Sequence, residues 1–417
     1  MSAERIDSVI IGAGQSGLGL SRELVDRGVE HVVLEQGCVG DTWRTQRWDA
    51  FALNSPAWMN RLPGDAASVR PDEFPSAPEF VIGLERYAFR HRLPVSEGVA
   101  VRSVRQRSTD ERLSVVTDEG LLEARSVIVA SGGARVPRLP AVASALSASI
   151  LQLHTAGYRN AAELPSGAVL VVGGGQSGVQ IAEDLLGAGR EVFLATSRVG
   201  RLPRRYRGRD SFAWLVDDGY FDEPRAAAAR AGTNPQISGA SGGHTLSYQH
   251  LERLGAVLLG GVVGVSGTQL RLRDDLERNV VFADTVSAAL RSRIDAHIAR
   301  LGIEAPGRDA DPADEPYPLR AIPKTPRELD LRYAGVGTVI WATGFDAATD
   351  FVHAPVVGER GALIQRDGAT AVPGLFVIGQ PWLRSRQSAT VYGVIDDAPH
   401  VAHLVVGRLT ARRRLAA

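Results

Sequence analysis

Two glycine-rich turns constrain this chain more than any other feature, because each stands between an apolar run and a helical pattern. The first is Gly12-Ala13-Gly14-Gln15-Ser16-Gly17, after Ser8-Val9-Ile10-Ile11. The second is Gly173-Gly174-Gly175-Gln176-Ser177-Gly178, after Val169-Leu170-Val171-Val172. Both read G-x-G-x-x-G in a strand-to-helix setting. There the first glycine makes the turn, the second admits a pyrophosphate close to the backbone, and the third lets helix pack on strand. The helix N-terminus that follows offers free N–H groups and partial positive charge to the anion. One such turn is a weak signal. Two, both ending Gly-Gln-Ser-Gly, imply two dinucleotides held face to face, which is a redox enzyme's problem.

In the first unit, strands are expected over 7–12 and 31–35 with a helix over 17–27. Glu35 ends the second strand about 20 residues after the turn, where an acid accepts hydrogen bonds from a ribose diol; Gln36 follows it. The alternative is a solvated strand-end carboxylate. The second unit repeats the pattern with strand 168–172, helix 178–186 and strand 191–195. Its strand end carries Thr196-Ser197-Arg198, with Arg201 close behind. Hydroxyl plus guanidinium binds a 2′-phosphate that a carboxylate would repel, so this site reads as one for NADPH rather than NADH. Polar loop residues without a ligand are the alternative.

Short antiparallel strands are expected over 99–105, 112–117 and 121–125, then a buried strand over 126–133 and a Pro-rich break at 136–140. Residues 202–330 hold a further arginine group (Arg204, Arg205, Arg207 and Arg209), a Gly/Ser turn at 238–243, a helix over 285–301 and a polar, Pro-rich stretch over 305–327. With Arg201, these arginines read either as a solvated edge facing NADP or as a substrate anion site. Apolar strands over 338–345 and 374–379 each stop at a glycine, and a helix over 394–409 closes the chain. The expected fold is α/β with two Rossmann-like dinucleotide-binding domains. Residues 1–160 and 331–417 form the FAD domain, and 161–330 the inserted NADPH domain with an irregular, partly helical insertion at 202–330.

At 417 residues the chain has room for two or three domains. With 44% apolar and 23% charged residues it falls in the globular class. A net charge of zero gives no reason to expect nucleic acid as a partner. Lys324 is the one lysine, an arginine bias that reads as the codon usage of a GC-rich genome. Cys38, the one cysteine, excludes an intrachain disulfide, a multi-cysteine metal site and the two-thiol path of a disulfide reductase. It fits a reducing compartment. The nine histidines show no ligand spacing with acids, so no metal site is expected. The start of the chain shows no basic leader, and the longest apolar stretch, 256–265, is shorter than the roughly 20 residues of a membrane span. A soluble, cytoplasmic protein without a membrane partner is expected, and a homodimer is allowed.

The paired loops, Gly40-Asp41-Thr42-Trp43-Arg44, Arg47-Trp48-Asp49 and Ala342-Thr343-Gly344-Phe345 resemble the class B flavin-dependent monooxygenases. Within that group the short bacterial enzymes similar to plant YUCCA-type flavin monooxygenases are nearest. The chain departs from the family fingerprint Phe-x-Gly-x-x-x-His-x-x-x-Tyr/Phe: His154 and Tyr158 stand, but Ala148 and Ile150 replace the Phe and Gly. His154 and Tyr158 fit either that fingerprint or a linker pair that sets the domain angle.

The resemblance implies that NADPH reduces FAD and that O2 then gives a C4a-(hydro)peroxyflavin, shielded by retained NADP+. That species would oxygenate a small organic substrate, by N-hydroxylation of an amine or attack on a ketone or keto acid. The alternatives are an NADPH-dependent flavin reductase or oxidase that passes electrons to another acceptor, and a redox sensor.

For FAD, the resemblance implies Gly12, Gly14, Gln15, Ser16, Gly17, Glu35, Gln36, Thr42, Trp43 and Arg44, with strand ends at Thr343, Gly344, Gly379 and Gln380. For NADPH it implies Gly173, Gly175, Gln176, Ser177, Gly178, Ser197, Arg198 and Arg201. Asn54, before Ser55-Pro56, is the candidate catalytic contact to flavin or NADP+, or else an Asx-turn. Arg384 or Arg386 is expected to meet a substrate carboxylate or to lie in solvent.

Overall fold

A computed structural model describes residues 3–106, 112–230, 234–318 and 322–411. Its first sheet has a parallel core in the order Val95–Glu97, His31–Glu35, Glu4–Ile11, Leu121–Val129 and Leu375–Val377. The helix Gln15–Asp26 follows the first strand, and the C-terminal helix Val394–Ala411 packs against it. Gly19 makes that contact close, because a Cβ there would meet the side chain of Val394.

Residues 121–129 form one strand where two were expected. Its first half pairs antiparallel with Leu113–Thr117, while its second half pairs parallel with Leu375–Val377. Glu123 and Arg125 interrupt the apolar run in the sequence, although Glu123 is buried.

The second sheet is wholly parallel: Val257–Leu259, Val192–Ala195, Ala168–Val172, Val336–Trp341 and Leu151–His154. Every residue of Ala168–Val172 is buried, as expected for a central parallel strand covered on both faces. This sheet revises the expected division at 160 and 331. Leu151–His154 and Val336–Trp341 belong with the second glycine loop, because Trp341 pairs in register with both His154 and Val172.

The helix expected over 285–301 starts earlier and spans Leu276–Leu301. Its buried face includes Leu276, Val280, Ala283, Leu290 and Ile294, but also Asn279 and Ser287. Those polar residues on the core side dilute the 3.6-residue apolar period that marks a helix. The helix Ala77–Arg90 carries a capping box between Ser76 and Glu79, with Pro78 in its first turn. Among the described residues no helix is long and apolar enough to cross a membrane.

Asp397 lies near the start of the C-terminal helix with its side chain 4% exposed and Arg384 Nη1 at 3.8 Å. Burial pushes its carboxyl up to about 6, against smaller opposing effects of Ser388 and Arg384. The folded chain therefore holds this proton more tightly than the unfolded chain. The associated stability is complete below the unfolded carboxyl range near 4 and is lost as pH rises through about 6. We expect Asp397→Asn to raise Tm by a few degrees relative to the native chain at pH 7.5 and to give little gain at pH 4.5, in thermal melts of both proteins. An equal Tm difference at both pH values would show that Asp397 does not titrate in this window.

Candidate functional site

The two loops share one stereochemistry. Gly12 has φ +110°, and a Cβ there would lie 2.7 Å from the carbonyl oxygen of Ala130. Gly173 has φ +123° and stands in the same way against the carbonyl of Ala342. At Gly17 and Gly178 a Cβ would run into the carbonyl of Gly12 and of Gly173 respectively. At Gly14 and Gly175, by contrast, nothing lies within 4 Å. Backbone fills the space beside the first and third glycines, and the second opens on free space at a helix N-terminus. That is the cradle a pyrophosphate needs, so the residues present fit a dinucleotide at each loop.

At the first loop, Glu35 is buried, and its carboxylate accepts from the N–H of Ala13 at 2.9 Å and of Gly37 at 3.0 Å. It reaches the wall of a cavity of about 460 Å³ that is also lined by Gly12, Gly14, Gln15, Ser16, Gln36, Thr42, Trp43 and Gly379. Residues scattered over 12–43 and the strand end at 379 thus meet in one space. Trp43 Nε1 donates to Gln15 Oε1 at 3.0 Å, which fixes the indole against the loop.

Four members of the expected FAD set, Arg44, Gln380, Thr343 and Gly344, do not line this cavity. Arg44 is exposed and pairs with Glu85 at 2.6 Å, because the short helix Asp41–Thr45 turns it outward. Gln380 is buried beside the cavity without lining it. Thr343 and Gly344 also lie off the wall, where the chain crosses between sheets. The Thr343 hydroxyl donates to Arg138 O, and Gly344 O accepts from His154 Nε2 at 2.9 Å. Tyr158 donates to Asp184 at 2.5 Å, so His154 and Tyr158 both act as linker contacts.

Arg47 lines the cavity instead of Arg44, stacked over Trp43 at 4.7 Å and Phe51 at 5.3 Å. Burial lowers its guanidinium to about 10, and among the described residues no carboxylate pairs with it. It stands in the Arg47-Trp48-Asp49 motif, but nothing in the motif says which of its neighbouring arginines turns inward. Trp382 and Ala389 also line the cavity, and both have left-handed φ (+56° and +70°), a conformation that non-glycine residues hold only under constraint. Arg386, on the same wall, stacks on Tyr220 at 4.1 Å and pairs with Glu223 at 2.6 Å, while Arg384 lies by Asp397. Neither is a free cation for a substrate carboxylate.

At the second loop, Ser197 Oγ accepts from the N–H of Gly174 at 3.0 Å. This is the bond that Glu35 makes to Ala13 at the first loop, made here by a neutral hydroxyl. Tyr248, fully buried, donates to Ser197 O at 2.6 Å and accepts from Ser197 N. Gln176 Oε1 accepts from Ile237 N at 3.0 Å, and Gln236 Nε2 donates to Gly174 O at 2.7 Å. Ser177 starts the helix Gln176–Gly187. Arg198 is exposed beside this strand end and stacks over Phe282 at 4.4 Å.

Arg201 does not join it. Its side chain is wholly buried, pairs with Asp284 at 2.8 Å and also binds Asp314, so no phosphate can reach it. Both acids come from segments far away in the sequence, which made this pairing invisible there. Arg204, Arg207 and Arg209 likewise pair with Asp210, Asp295 and Asp217, so these three are not free for an anion, while Arg205 is exposed.

Asn54 does not line the cavity at the first loop. Its Oδ1 accepts from Gln180 Nε2 at 2.6 Å, and its backbone oxygen accepts from Arg204 at 2.8 Å. It ties the first unit to the helix of the second. Nor does it form an Asx-turn: Ser55 and Asn60 bond each other instead. The expectation that no histidine meets an acid at ligand spacing is also corrected. Glu183, His244 and His250 bring one ligand atom each within 4.8 Å of one another.

Residues 9–207 match the family model described as pyridine nucleotide-disulphide oxidoreductase. Over its length the chain is 28% identical to an uncharacterized CzcO-like oxidoreductase of Geobacillus kaustophilus, covering 95% of this chain and 97% of that protein. The indole-3-pyruvate monooxygenase YUCCA1 of Oryza sativa subsp. japonica is 32% identical, over 49% of this chain and 51% of its own. In fold, a flavin-containing monooxygenase from Stenotrophomonas maltophilia superposes with a TM-score of 0.65 at 21% identity, covering 97% of this chain and 99% of that one. Two loops of one stereochemistry, each at the end of parallel strands, give this chain the fold of that flavin-containing monooxygenase.

Proposed function

We propose that the chain is an FAD- and NADPH-dependent monooxygenase that inserts one atom of O2 into a small organic substrate. The observation that carries this is the contrast between two otherwise equivalent loops: a carboxylate, Glu35, fastens the first, and a hydroxyl, Ser197, with the exposed Arg198 beside it, fastens the second. FAD belongs at the first loop and NADPH at the second. When bound, the flavin would supply the redox chemistry by which NADPH is oxidised and O2 gives one oxygen atom to substrate and the other to water.

The protein's own part is position, charge and dryness. Glu35 would hold the adenosine ribose, and Arg47, which pairs with no carboxylate among the described residues, would supply positive charge to an anionic group in the cavity. Trp43, Trp382 and Arg386 line the space, and with a cofactor bound they would help keep water from it and so limit wasteful release of peroxide. The similarity to an indole-3-pyruvate monooxygenase supports a keto acid as substrate; N-hydroxylation of an amine is the second subclass. The altered fingerprint at Ala148 and Ile150 favours, as a second reading, an NADPH-dependent flavin reductase or oxidase with another acceptor.

Anaerobic NADPH should bleach the bound flavin, and O2 mixed in a stopped-flow instrument should then produce a transient spectrum distinct from both oxidised and reduced flavin. Direct return to the oxidised spectrum, with one peroxide per NADPH under every substrate tried, selects the reductase reading. Glu35→Ala should leave the purified protein mostly colourless, measured as flavin absorbance per chain; full flavin content would remove Glu35 from the site. Arg198→Ala should raise KM for NADPH by about 10- to 100-fold, the worth of a charge-assisted hydrogen bond. It should leave KM for NADH nearly unchanged, and an equal effect on both coenzymes would refute the 2′-phosphate assignment.

A further inference from the structure

We propose that Glu183, His244 and His250 form a site for one divalent transition-metal ion of the zinc class, which clips together the wall of the second nucleotide loop. The three residues come from separate elements: Glu183 from the helix Gln176–Gly187, His244 from the loop after Gly243, and His250 from the helix Tyr248–Arg253. His244 Nε2 lies 2.7 Å and His250 Nε2 3.4 Å from the same oxygen, Glu183 Oε1. With metal–ligand bonds of about 2.0–2.2 Å, ligand atoms on a tetrahedral ion stand roughly 3.3–3.5 Å apart. The His250–Glu183 pair is already at that spacing, and the His244–Glu183 pair needs to open by about 0.6–0.8 Å.

The surroundings are those of a ligand set rather than of loose surface groups. His244 Nδ1 donates to Ala240 O at 3.1 Å, which leaves Nε2 as the ligating nitrogen, the arrangement metal-bound imidazoles show. Its backbone pairs in both directions with Ser238. His250 N donates to Ser247 Oγ, and that hydroxyl donates to Ala313 O, so the start of the His250 helix is pinned as well. All three side chains are partly exposed, which gives an entry path and room for water as a fourth ligand.

Two imidazole nitrogens and one carboxylate suit zinc, cobalt or nickel. Magnesium and calcium prefer all-oxygen sets. The ion would join the helix that bears Gln176 and Gln180 to the segment whose Ile237 both glutamines hold.

The test uses FAD-loaded protein stripped with chelator, in a Cys38→Ser background to remove the exposed thiol. Equilibrium dialysis against Zn2+ alone should show one ion per chain beyond any carried by the variants. Glu183→Gln and His250→Gln should each weaken that binding by at least about tenfold. Co2+ should give visible bands of a four-coordinate nitrogen–oxygen site in the parent and not in the variants, and millimolar Mg2+ should not displace it. A parent that binds no ion, leaving a His244–Glu183 ion pair only, overturns the proposal. So does Zn2+ binding of equal affinity in parent and variants, which would place the ion on other histidines. If a variant loses its flavin or fold, the Co2+ spectrum of the parent decides alone.

Discussion

Everything at the site depends on two contacts between backbone and backbone. At the end of each parallel sheet the first glycine of the loop lies against the carbonyl of the adjacent strand end, Ala130 in one case and Ala342 in the other. No side chain fits between them, so the turn cannot drift from the sheet. The third glycine then seats the helix on the turn. With both contacts made, the only open position is the second glycine, under the free N–H groups of the helix. The same contact explains the chain path. Ala130 follows the strand Leu121–Val129 and Ala342 follows Val336–Trp341, so each cradle is completed by a strand that comes later in the chain and lies beside the loop's own strand.

Given two equal cradles, strand-end chemistry sets which nucleotide each prefers. Glu35 and Ser197 make the same hydrogen bond to the residue after the first glycine. Only one of them brings charge. A carboxylate about 4 Å from a phosphate dianion costs on the order of several kcal/mol at an effective dielectric near 20, more than a hydrogen bond returns. On the proposed assignment the hydroxyl removes that cost, and Arg198 would turn it into attraction. Arg201 contributes differently: buried between Asp284 and Asp314, it fastens the long helix and the 305–318 segment to the nucleotide unit. Removing one partner of such a pair costs about 3–5 kcal/mol, so its value lies in holding the wall rather than in touching phosphate.

What was legible in the sequence was local. The glycine loops, the apolar strands around them and the contrast between Glu35 and Ser197-Arg198 are all encoded within a few residues. What was hidden depends on partners distant in the chain. The choice of Arg47 over Arg44 follows from how a five-residue helix is rotated against Trp43 and Glu85. The pairing of Arg201 needs acids more than 80 residues away. Asn54 looked like a cofactor contact because of the family resemblance of its segment, yet its Oδ1 accepts from Gln180, a partner 126 residues away. Glu183, His244 and His250 share no spacing that a linear motif would show, and only the packing of two helices and a loop brings them together. The strands at 151–154 and 336–341 read correctly as strands, but strand pairing, which no local pattern contains, decides their sheet.

The wall over the second loop is fastened in an unusual material for a buried contact. Three glutamines do it: Gln176 receives the N–H of Ile237, Gln180 donates to Ile237 O, and Gln236 donates to Gly174 O. Each such bond contributes only about 1 kcal/mol net, because water can replace either partner. Apolar packing of the same area would be lost only by exposing that area to water. A polar latch can let go bond by bond, with water taking each place. One atom already shows the incompleteness: Gln236 Oε1 is buried with no hydrogen-bond partner, a cost of about 1–3 kcal/mol that a bound group with a free N–H or O–H would relieve. A permanent cofactor has no need of such a wall. A coenzyme that enters, reacts and leaves does, which agrees with the proposed place of the exchanging nucleotide at the second loop.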